Sequence, residues 1–442
     1  MPKPFTWPLR VMSRFRQSIA YLTSLITLVY LGLALLVVLL PVDASVLPNF
    51  LEFVNFDDPD TARTLLATLI AGMISLMVFS FSMVMSVLSQ AGGNFSHKLV
   101  FGLVTERRHQ QVLGHYLGTI LFILILLMVP DDGKTPDLWR SLAVYLGAAM
   151  VIHCLALFVY FIHNASQSVQ INAVTQELHR SALQSMEGLQ ARQAQSRWCY
   201  ASDRRVPANC HVIHARQSGY IQRTHLDELA DLAKQANATI HFNFTPGDFI
   251  VRGFPILLIE AAHSPDDDWC AAVRSHLEYV EGESIQDLYV NGLTQLMEIA
   301  IKALSPGIND PGTARLCLHQ ITELLCERLR FQPCNTLADD TGQVRVTWSE
   351  ESLESLLYKL YTPILHYGRD DVSIGLALLQ SLKTLSLFAD AEQRELIQAH
   401  AQRVVSALAD RVSDPLDSRF ILERLDGGTH RLDLSREAFE PI

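Results

Sequence analysis

Charged side chains are scarce in this sequence, and four long stretches lack them entirely. Only 18% of the 442 residues are Asp, Glu, Lys or Arg, against about 25% in an average soluble domain. The stretches without any of these four types are 17–42, 64–97, 109–130 and 141–176. Because about 20 apolar residues suffice to cross a hydrocarbon core, each stretch is long enough to form a transmembrane helix. The first apolar run, 19–40, is too long for the core of a signal peptide, so we expect it to be retained.

Other absences exclude several classes of protein. Seven cysteines in 442 residues are too few for a disulfide scaffold. A net charge of -11 opposes nucleic-acid binding, which needs a basic face. No Gly-rich phosphate loop, dinucleotide fingerprint or Gly-x-Ser-x-Gly elbow occurs. Cys210, His211 and His214 lack the regular spacing of zinc ligands. The sequence therefore predicts no enzyme, no catalytic residue, no cofactor and no metal site.

The charges next to the four stretches alternate in sign. Lys and Arg are enriched at the cytosolic ends of transmembrane helices. Four crossings with both termini in the cytosol place every basic loop on the cytosolic side and every acidic loop on the opposite side. The remaining chain after residue 176, with 25 basic and 37 acidic residues, is then cytosolic. The deciding residues are Lys3, Arg10, Arg14, Arg16, Lys98, Arg107 and Arg108 on the basic side, and Asp43, Glu52, Asp57, Asp58, Asp60, Asp131, Asp132 and Asp137 on the acidic side.

The second stretch carries small and polar residues along one helix face. At about 100° per residue they fall within an arc of about 100°, and only Phe79 interrupts the row. Small residues let two helix backbones approach closely, and their hydroxyls can hydrogen-bond across the contact. The same row could instead line a narrow wetted path through an oligomer, so both interpretations stay open. This stripe consists of Thr68, Gly72, Ser75, Ser82, Ser86, Ser89 and Gly93.

Histidines are the candidates for proton transfer inside the predicted spans. His115 and His163 fall near span ends, which leaves His153 alone at depth. A proton or metal relay at membrane depth needs several ionisable groups. We therefore predict that His153 is a neutral, hydrogen-bonded packing residue.

After the spans, the pattern predicts three further parts. Residues 177–209 form a helical extension and linker, 210–262 a small β-rich module, and 263–442 an α-helical domain. The turns at Ser218-Gly219-Tyr220-Ile221, Pro246-Gly247-Asp248 and Gly253-Phe254-Pro255 resemble a barrel-sandwich (lipoyl-like) module. Such carriers present a modified Lys after Met, a pair that is absent here, so we expect a structural module. With residues 1–176 as the transmembrane domain, the expected fold class is an α-helical integral membrane protein followed by a cytosolic α+β region.

A compact turn interrupts the C-terminal helices at Ser305-Pro306-Gly307-Ile308-Asn309-Asp310-Pro311. Asp310 is a good N-cap, and Pro311 suits the first position of the following helix. The simplest interpretation is a corner between two helices. The alternative is capture of a ligand or anion at the exposed helix N-terminus, although the charge of Asp310 disfavours an anion.

The residues around this turn resemble the signature of a bacterial family of predicted membrane proteins, domain of unknown function 2254. Where the family pattern has Pro-Arg, this sequence has His97-Lys98, which keeps one positive charge. The resemblance implies a four-span protein of the bacterial inner membrane with a large cytosolic domain, and it implies no established activity. The other matching motifs are Phe95-Ser96, Gln111-Val112-Leu113-Gly114, Tyr160-Phe161-Ile162-His163, Ser218-Gly219-Tyr220, Pro246-Gly247-Asp248 and Tyr367-Gly368.

These features lead us to expect an oligomeric channel or transporter with a cytosolic regulatory domain. The alternative is a non-conducting membrane scaffold or signalling protein that acts through the same domain. The expected partners are the lipid bilayer and further copies of the chain, with no nucleic acid. The two hypotheses differ in what faces the oligomer axis: a stripe that meets its symmetry mates favours a pore, and a stripe buried within one bundle favours a scaffold.

Overall fold

The computed structural model describes residues 20–40, 59–94, 107–129, 137–168, 170–194, 197–201, 209–280, 285, 287–411, 414–435 and 439. The chain divides into two compact units, Met1–Gln170 and Ile171–Ile442. Most of the loop charges that indicate orientation, the Phe95-Ser96 motif and the pair His97-Lys98 lie outside the described residues.

Four helices make up the described part of the first unit: α1 (Ala20–Leu39), α2 (Pro59–Asn94), α3 (Arg107–Met128) and α4 (Asp137–Ser168). Each contains an apolar segment long enough to cross a membrane. A helix satisfies its own backbone polar groups, which is what a segment without water must do. The prediction of four helices able to span a membrane is therefore confirmed. At 36 residues α2 is about 54 Å long, well beyond a ~30 Å hydrocarbon core.

Helices α1 and α3 approach each other closely at two glycines of α3. A Cβ at Gly114 would lie 3.0 Å from Cβ of Ile26, and a Cβ at Gly118 would lie 2.6 Å from Cγ of Tyr30. Gly-x-x-x-Gly spacing puts both glycines on one helix face, where the missing side chains let the backbones meet. The core of this unit draws on all four helices and includes Ala34, Met73, Phe122, Val144 and Cys154.

The second unit begins with helices and short strands and ends in helices. Its described elements in chain order are α5 (Ile171–Gln193), β1 (Trp198–Cys199), β2 (His211–His214), β3 (Gly219–Thr224), α6 (Leu226–Gln235), β4 (Thr239–Phe242), β5 (Phe249–Ile250), β6 (Pro255–Glu260), α7 (Asp267–Ser275), β7 (Leu277–Val280), α8 (Tyr289–Ala303), α9 (Pro311–Leu329), β8 (Thr336–Ala338), β9 (Val344–Thr347), α10 (Leu353–Tyr367), α11 (Val372–Phe388), α12 (Ala391–Ala409) and α13 (Pro415–Asp426).

The strands form two sheets. One has six strands in the order β1-β8-β9-β4-β6-β2, and the other has three in the order β5-β3-β7. Among the described strands all pairings are antiparallel except that of β4 with β9, where Ile240 lies opposite Val346. Neither sheet closes into a barrel within the described residues, so the barrel-sandwich arrangement is not confirmed. The predicted division at residue 262 cuts through both sheets, because β7, β8 and β9 follow it in sequence.

Strand β4 lies in the interior of the larger sheet. Its alternating pattern predicts a half-buried strand, yet His241 is as buried as its apolar neighbours Ile240 and Phe242. The polar side chain is accommodated because His241 Nδ1 lies 2.8 Å from Oγ1 of Thr347 on β9. A cross-strand hydrogen bond of this kind offsets the cost of burying an imidazole.

A buried ion pair fixes the hairpin between β8 and β9. Nε of Arg345 lies 2.8 Å from Oδ2 of Asp339, and both side chains are almost fully buried. Asp339 also accepts hydrogen bonds from the backbone N–H groups of Thr341 and Gln343. The hydroxyl of Thr341 and the guanidinium of Arg345 hold the pKa of Asp339 well below its usual range. The hairpin turn is therefore built around a charged carboxylate.

The helical part of the second unit has well-capped helix starts. At five helix starts the side-chain oxygen of the N-cap residue accepts a hydrogen bond from a backbone N–H of the first turn. These N-cap residues are Asp310, Ser352, Asp371, Asp390 and Asp414. Helix α8 differs, because its N-cap residue, Leu288, has an apolar side chain that accepts no hydrogen bond.

Candidate functional site

The predicted stripe lies on α2 and faces away from the core of its own unit. Thr68, Gly72, Ser75, Ser82, Ser86 and Ser89 are all exposed, and Gly93 lies on the same helix. The row from Thr68 to Ser89 extends for about 31 Å at 1.5 Å per residue, about the thickness of a hydrocarbon core. An added Cβ at Gly72 would meet nothing within 4 Å. The small residues of the stripe therefore do not serve helix packing within the described part of the first unit.

The two neighbouring faces of α2 have different surroundings. Leu66, Met73 and Ser80 are buried on the face that packs into the unit. Beside the stripe, Val78 and Phe81 are large, apolar and more than half exposed, as lipid-facing side chains are. Phe79, which interrupts the stripe in sequence, packs edge-on against Phe158 of α4 with ring centroids 5.8 Å apart. The helix thus has one core face, one apolar exposed face and one small polar exposed face.

Two hydroxyls of the stripe, those of Thr68 and Ser75, donate to carbonyl oxygens of their own helix. Oγ1 of Thr68 lies 2.8 Å from the carbonyl oxygen of Thr64, and Oγ of Ser75 lies 3.0 Å from that of Ala71. Each hydroxyl oxygen keeps lone pairs that can accept a further hydrogen bond. A stripe of this kind can adjoin lipid, a second helix or water without an unsatisfied donor.

A polar cluster inside the first unit was not expected. The hydroxyl of Tyr30 lies 2.8 Å from Nδ1 of His115, and the rings of His115 and His153 pack edge-on with centroids 5.2 Å apart. Oγ1 of Thr119 lies 3.3 Å from Sγ of Cys154 beside them. The sequence indicated that His153 is alone at depth, but the antiparallel course of α3 and α4 brings the two histidines together. His163 lies about three turns further along α4.

The turn from Ser305 to Pro311 is a corner between α8 and α9, as the sequence predicts. Asp310 accepts from the backbone N–H of Thr313 at 3.1 Å and from its hydroxyl at 2.6 Å, and Pro311 opens the helix. These hydrogen bonds from Thr313 lower the pKa of Asp310. Asn309 adopts a φ of 47°, a left-handed conformation that Asn tolerates. The charged cap occupies the helix N-terminus, so capture of an anion there is disfavoured.

A cavity of about 190 Å³ in the second unit contains another of the sequence motifs. Pro246, Gly247 and Asp248 form one wall, and Glu350 and Lys359 contribute opposite charges. Gly247 has a φ of 107°, and a Cβ there would lie 3.0 Å from Cδ1 of the neighbouring Leu288, so only glycine fits.

Glu350 is a titratable group of this cavity whose pKa is raised. Burial raises its pKa to about 7, although the indole N–H of Trp348 donates to its Oε1 at 2.6 Å. Its neighbour Glu351 pairs with Lys359 at 2.7 Å. The cavity therefore carries a carboxyl that changes protonation near neutral pH.

Comparison with known proteins identifies the family. The family model described as "Predicted membrane protein (DUF2254)" matches residues 16–384. The chain belongs to this family. Among DUF2254 relatives, Uncharacterized protein Rv1290c of Mycobacterium tuberculosis and Uncharacterized protein Mb1321c of Mycobacterium bovis are each 24% identical over 405 residues, which cover 89% of this chain and 76% of the relative. No solved structure matches the chain.

Membership in DUF2254 confirms the resemblance found in the sequence and agrees with the four helices able to cross a membrane. The relatives are uncharacterised, so they assign no activity to the stripe, the histidine cluster or the cavity. Two features were missed at the level of sequence. The Gly114–Gly118 spacing can be read from the sequence, but the sequence does not indicate that α1 is the helix packed against it. The contact between His115 and His153 joins two different helices, and no local sequence pattern indicates it.

Proposed function

We propose that this protein assembles in the bacterial inner membrane as an oligomeric channel or transporter, in which the stripes of several copies face one another along a shared path. The observation that carries the proposal is the exposure of the stripe. A row of small polar residues about 31 Å long lies on the outside of a unit that already has its own packing contacts.

The composition of the stripe favours contact with other copies of α2 over contact with lipid. Large apolar side chains pack well against lipid tails. Val78 and Phe81, on the adjacent face of α2, are exposed side chains of this kind. Gly72, Ser75 and Ser82 instead leave a shallow face that a second backbone can approach. Between more widely spaced helices, the same hydroxyl oxygens offer acceptors to water or a cation.

The second unit is the regulatory domain in this proposal, and it lies in the cytosol. The alternating loop charges support that orientation through the positive-inside rule. Helix α4 ends at Ser168 and α5 begins at Ile171, so a short connection joins the last span to the second unit.

Cysteine cross-linking tests the assembly. After replacement of the seven native cysteines, we expect Ser82→Cys to form a disulfide between copies in the membrane. Phe81→Cys is the matched control, because Phe81 is exposed but lies about 100° away on α2. Equal cross-linking at both positions, or none at residue 82, would show that the stripe does not face another copy.

Conduction separates the proposal from its alternative. A non-conducting scaffold or signalling protein would use the same stripe for assembly alone, and it would show the same cross-linking at residue 82. Ion flux into liposomes that contain the purified protein distinguishes the two, because only the channel or transporter moves solute.

A further inference from the structure

A second recess, separate from the cavity at Glu350, lies between strand β2 and helix α7. Strand β2 is the last of the described strands in the six-stranded sheet, so one of its backbone edges has no neighbour among them. The recess measures about 600 Å³, within the size range of small-molecule sites. We name it the β2–α7 groove; its polar lining consists of His211, His214, Arg216, Arg252, Asp267, Cys270 and Arg274.

The three arginines of the groove differ from several other arginines of the second unit in their ion pairing. Among the described residues, none of Arg216, Arg252 and Arg274 forms an ion pair within 4.0 Å. Other arginines of the same unit do, as Arg223 does with Asp287 at 2.8 Å and Arg345 with Asp339 at 2.8 Å. Acidic residues are in excess after residue 176, so three unpaired arginines around one recess are unexpected.

Arg274 adds a second observation. Its Nε is buried and has no hydrogen-bond partner within the described part of the chain. A buried guanidinium N–H without an acceptor is energetically unfavourable, because its lost hydration is not replaced, unless a ligand or water supplies an acceptor. The recess is where such an acceptor can enter.

Two carboxylates beside the groove reduce its positive charge without cancelling it, because the lining contains three arginines. Asp267 is the acidic residue among the described residues of the lining. The adjacent Asp266 is occupied as the N-cap of α7, where its Oδ1 accepts from the backbone N–H of Trp269 at 2.7 Å. Sγ of Cys270 lies 4.0 Å from Nε2 of His211, and burial raises the pKa of the Cys270 thiol, so it remains neutral.

We propose that the β2–α7 groove binds a small phosphorylated anion, whose phosphate oxygens accept hydrogen bonds from the guanidinium groups of Arg216, Arg252 and Arg274. Guanidinium groups present paired N–H donors that match phosphate oxygens, and such charge-assisted hydrogen bonds are the strong ones. His211 and His214 supply further ring N–H donors at the rim. The phosphate belongs either to a soluble phosphorylated molecule or to the headgroup of a lipid. This site is independent of the proposed conduction, because its test measures binding and not flux.

The test is thermal unfolding of the purified full chain in phosphate-free detergent solution, with inorganic phosphate and dihexanoyl phosphatidic acid as separate probes. We expect at least one probe to raise the unfolding temperature of the wild type. In the double variant Arg252→Gln/Arg274→Gln we expect the probe to bind at least about tenfold more weakly, because two charge-assisted hydrogen-bond donors are lost. The probe that acts at the lower concentration identifies the source of the phosphate.

Two controls make the result specific. Arg419→Gln removes the same charge from an exposed position of α13 outside the groove and should respond as the wild type does. If the double variant unfolds at a lower temperature without probe, the single variant Arg216→Gln, at an exposed position, replaces it. The proposal is overturned if neither probe stabilises the wild type, if the groove variants respond like Arg419→Gln, or if poly-glutamate stabilises the protein where phosphate does not.

Discussion

A Cβ on Gly118 would lie 2.6 Å from Cγ of Tyr30, so helices α1 and α3 meet where only glycine fits. The first unit thus uses one pair of small residues, Gly114 and Gly118, for close packing inside itself. The small residues of α2 have no such partner within the described chain. This difference is the basis for assigning the stripe to contacts with other copies.

Substituting glycines at the two locations should have opposite effects on a single chain. Gly118→Ala should destabilise the first unit by about 1–3 kcal/mol, because the ring base of Tyr30 cannot move away without shifting the helix. Gly72→Ala should raise stability by about 0.5–1 kcal/mol, because alanine favours the helix more than glycine does and its Cβ meets nothing within 4 Å. Thermal unfolding in a detergent that keeps the protein monomeric measures both. Equal losses would show that the described packing is wrong.

The orientation of the second unit can be tested through Cys199, the exposed cysteine of the chain. We predict that a membrane-impermeant maleimide labels Cys199 only after the inner membrane is disrupted, because the proposed topology places the second unit in the cytosol. Ser45→Cys, between the first and second spans, should be labelled in cells whose outer membrane alone is permeable. Cys199→Ser identifies the labelled residue. Labelling of Cys199 before disruption of the inner membrane would reverse the topology.

Glu350 should make stability depend on pH. Its pKa is about 7 in the folded protein against 4.5 for a free glutamate, so the folded state holds the proton more tightly. The free energy of unfolding should therefore fall as pH rises from about 4.5 to about 7, and stay level above that. Glu350→Gln should remove this fall while still accepting from Trp348, and Glu187→Gln, at an exposed position of α5, should not. Unfolding temperatures across this pH range give the comparison; identical profiles for wild type and Glu350→Gln would refute the assignment.

The sequence was most informative where a local rule decides the structure. Charge-free length predicts the four helices, and the order Asp310-Pro311 predicts a capped helix start. Local sequence patterns do not predict contacts between segments that are distant in the chain. Trp198 pairs with Leu337, and Ile240 with Val346, so the larger sheet depends on strands that local turns do not reveal. The β2–α7 groove is likewise assembled from separate segments, and no linear motif marks it.

Bulky substitutions in the stripe should separate a wetted path from simple packing. If Ser82 and Ser86 line a path, Ser82→Leu and Ser86→Leu should leave assembly intact. If they pack against another helix, added bulk should weaken assembly, at a cost of about 1–3 kcal/mol per site. Phe81→Leu, on the apolar exposed face about 100° from Ser82, is the control that should leave assembly unchanged under both hypotheses. Cross-linking yield and sedimentation of the variants measure assembly.

Ion flux into liposomes containing the purified wild-type protein tests the central claim most directly. We predict measurable flux, lowered in Ser82→Leu and Ser86→Leu, because leucine narrows and dewets a constriction. Wild-type protein that is assembled through residue 82, yet passes no ions under varied voltage, tension and pH, would contradict conduction and leave the scaffold as the function of the stripe.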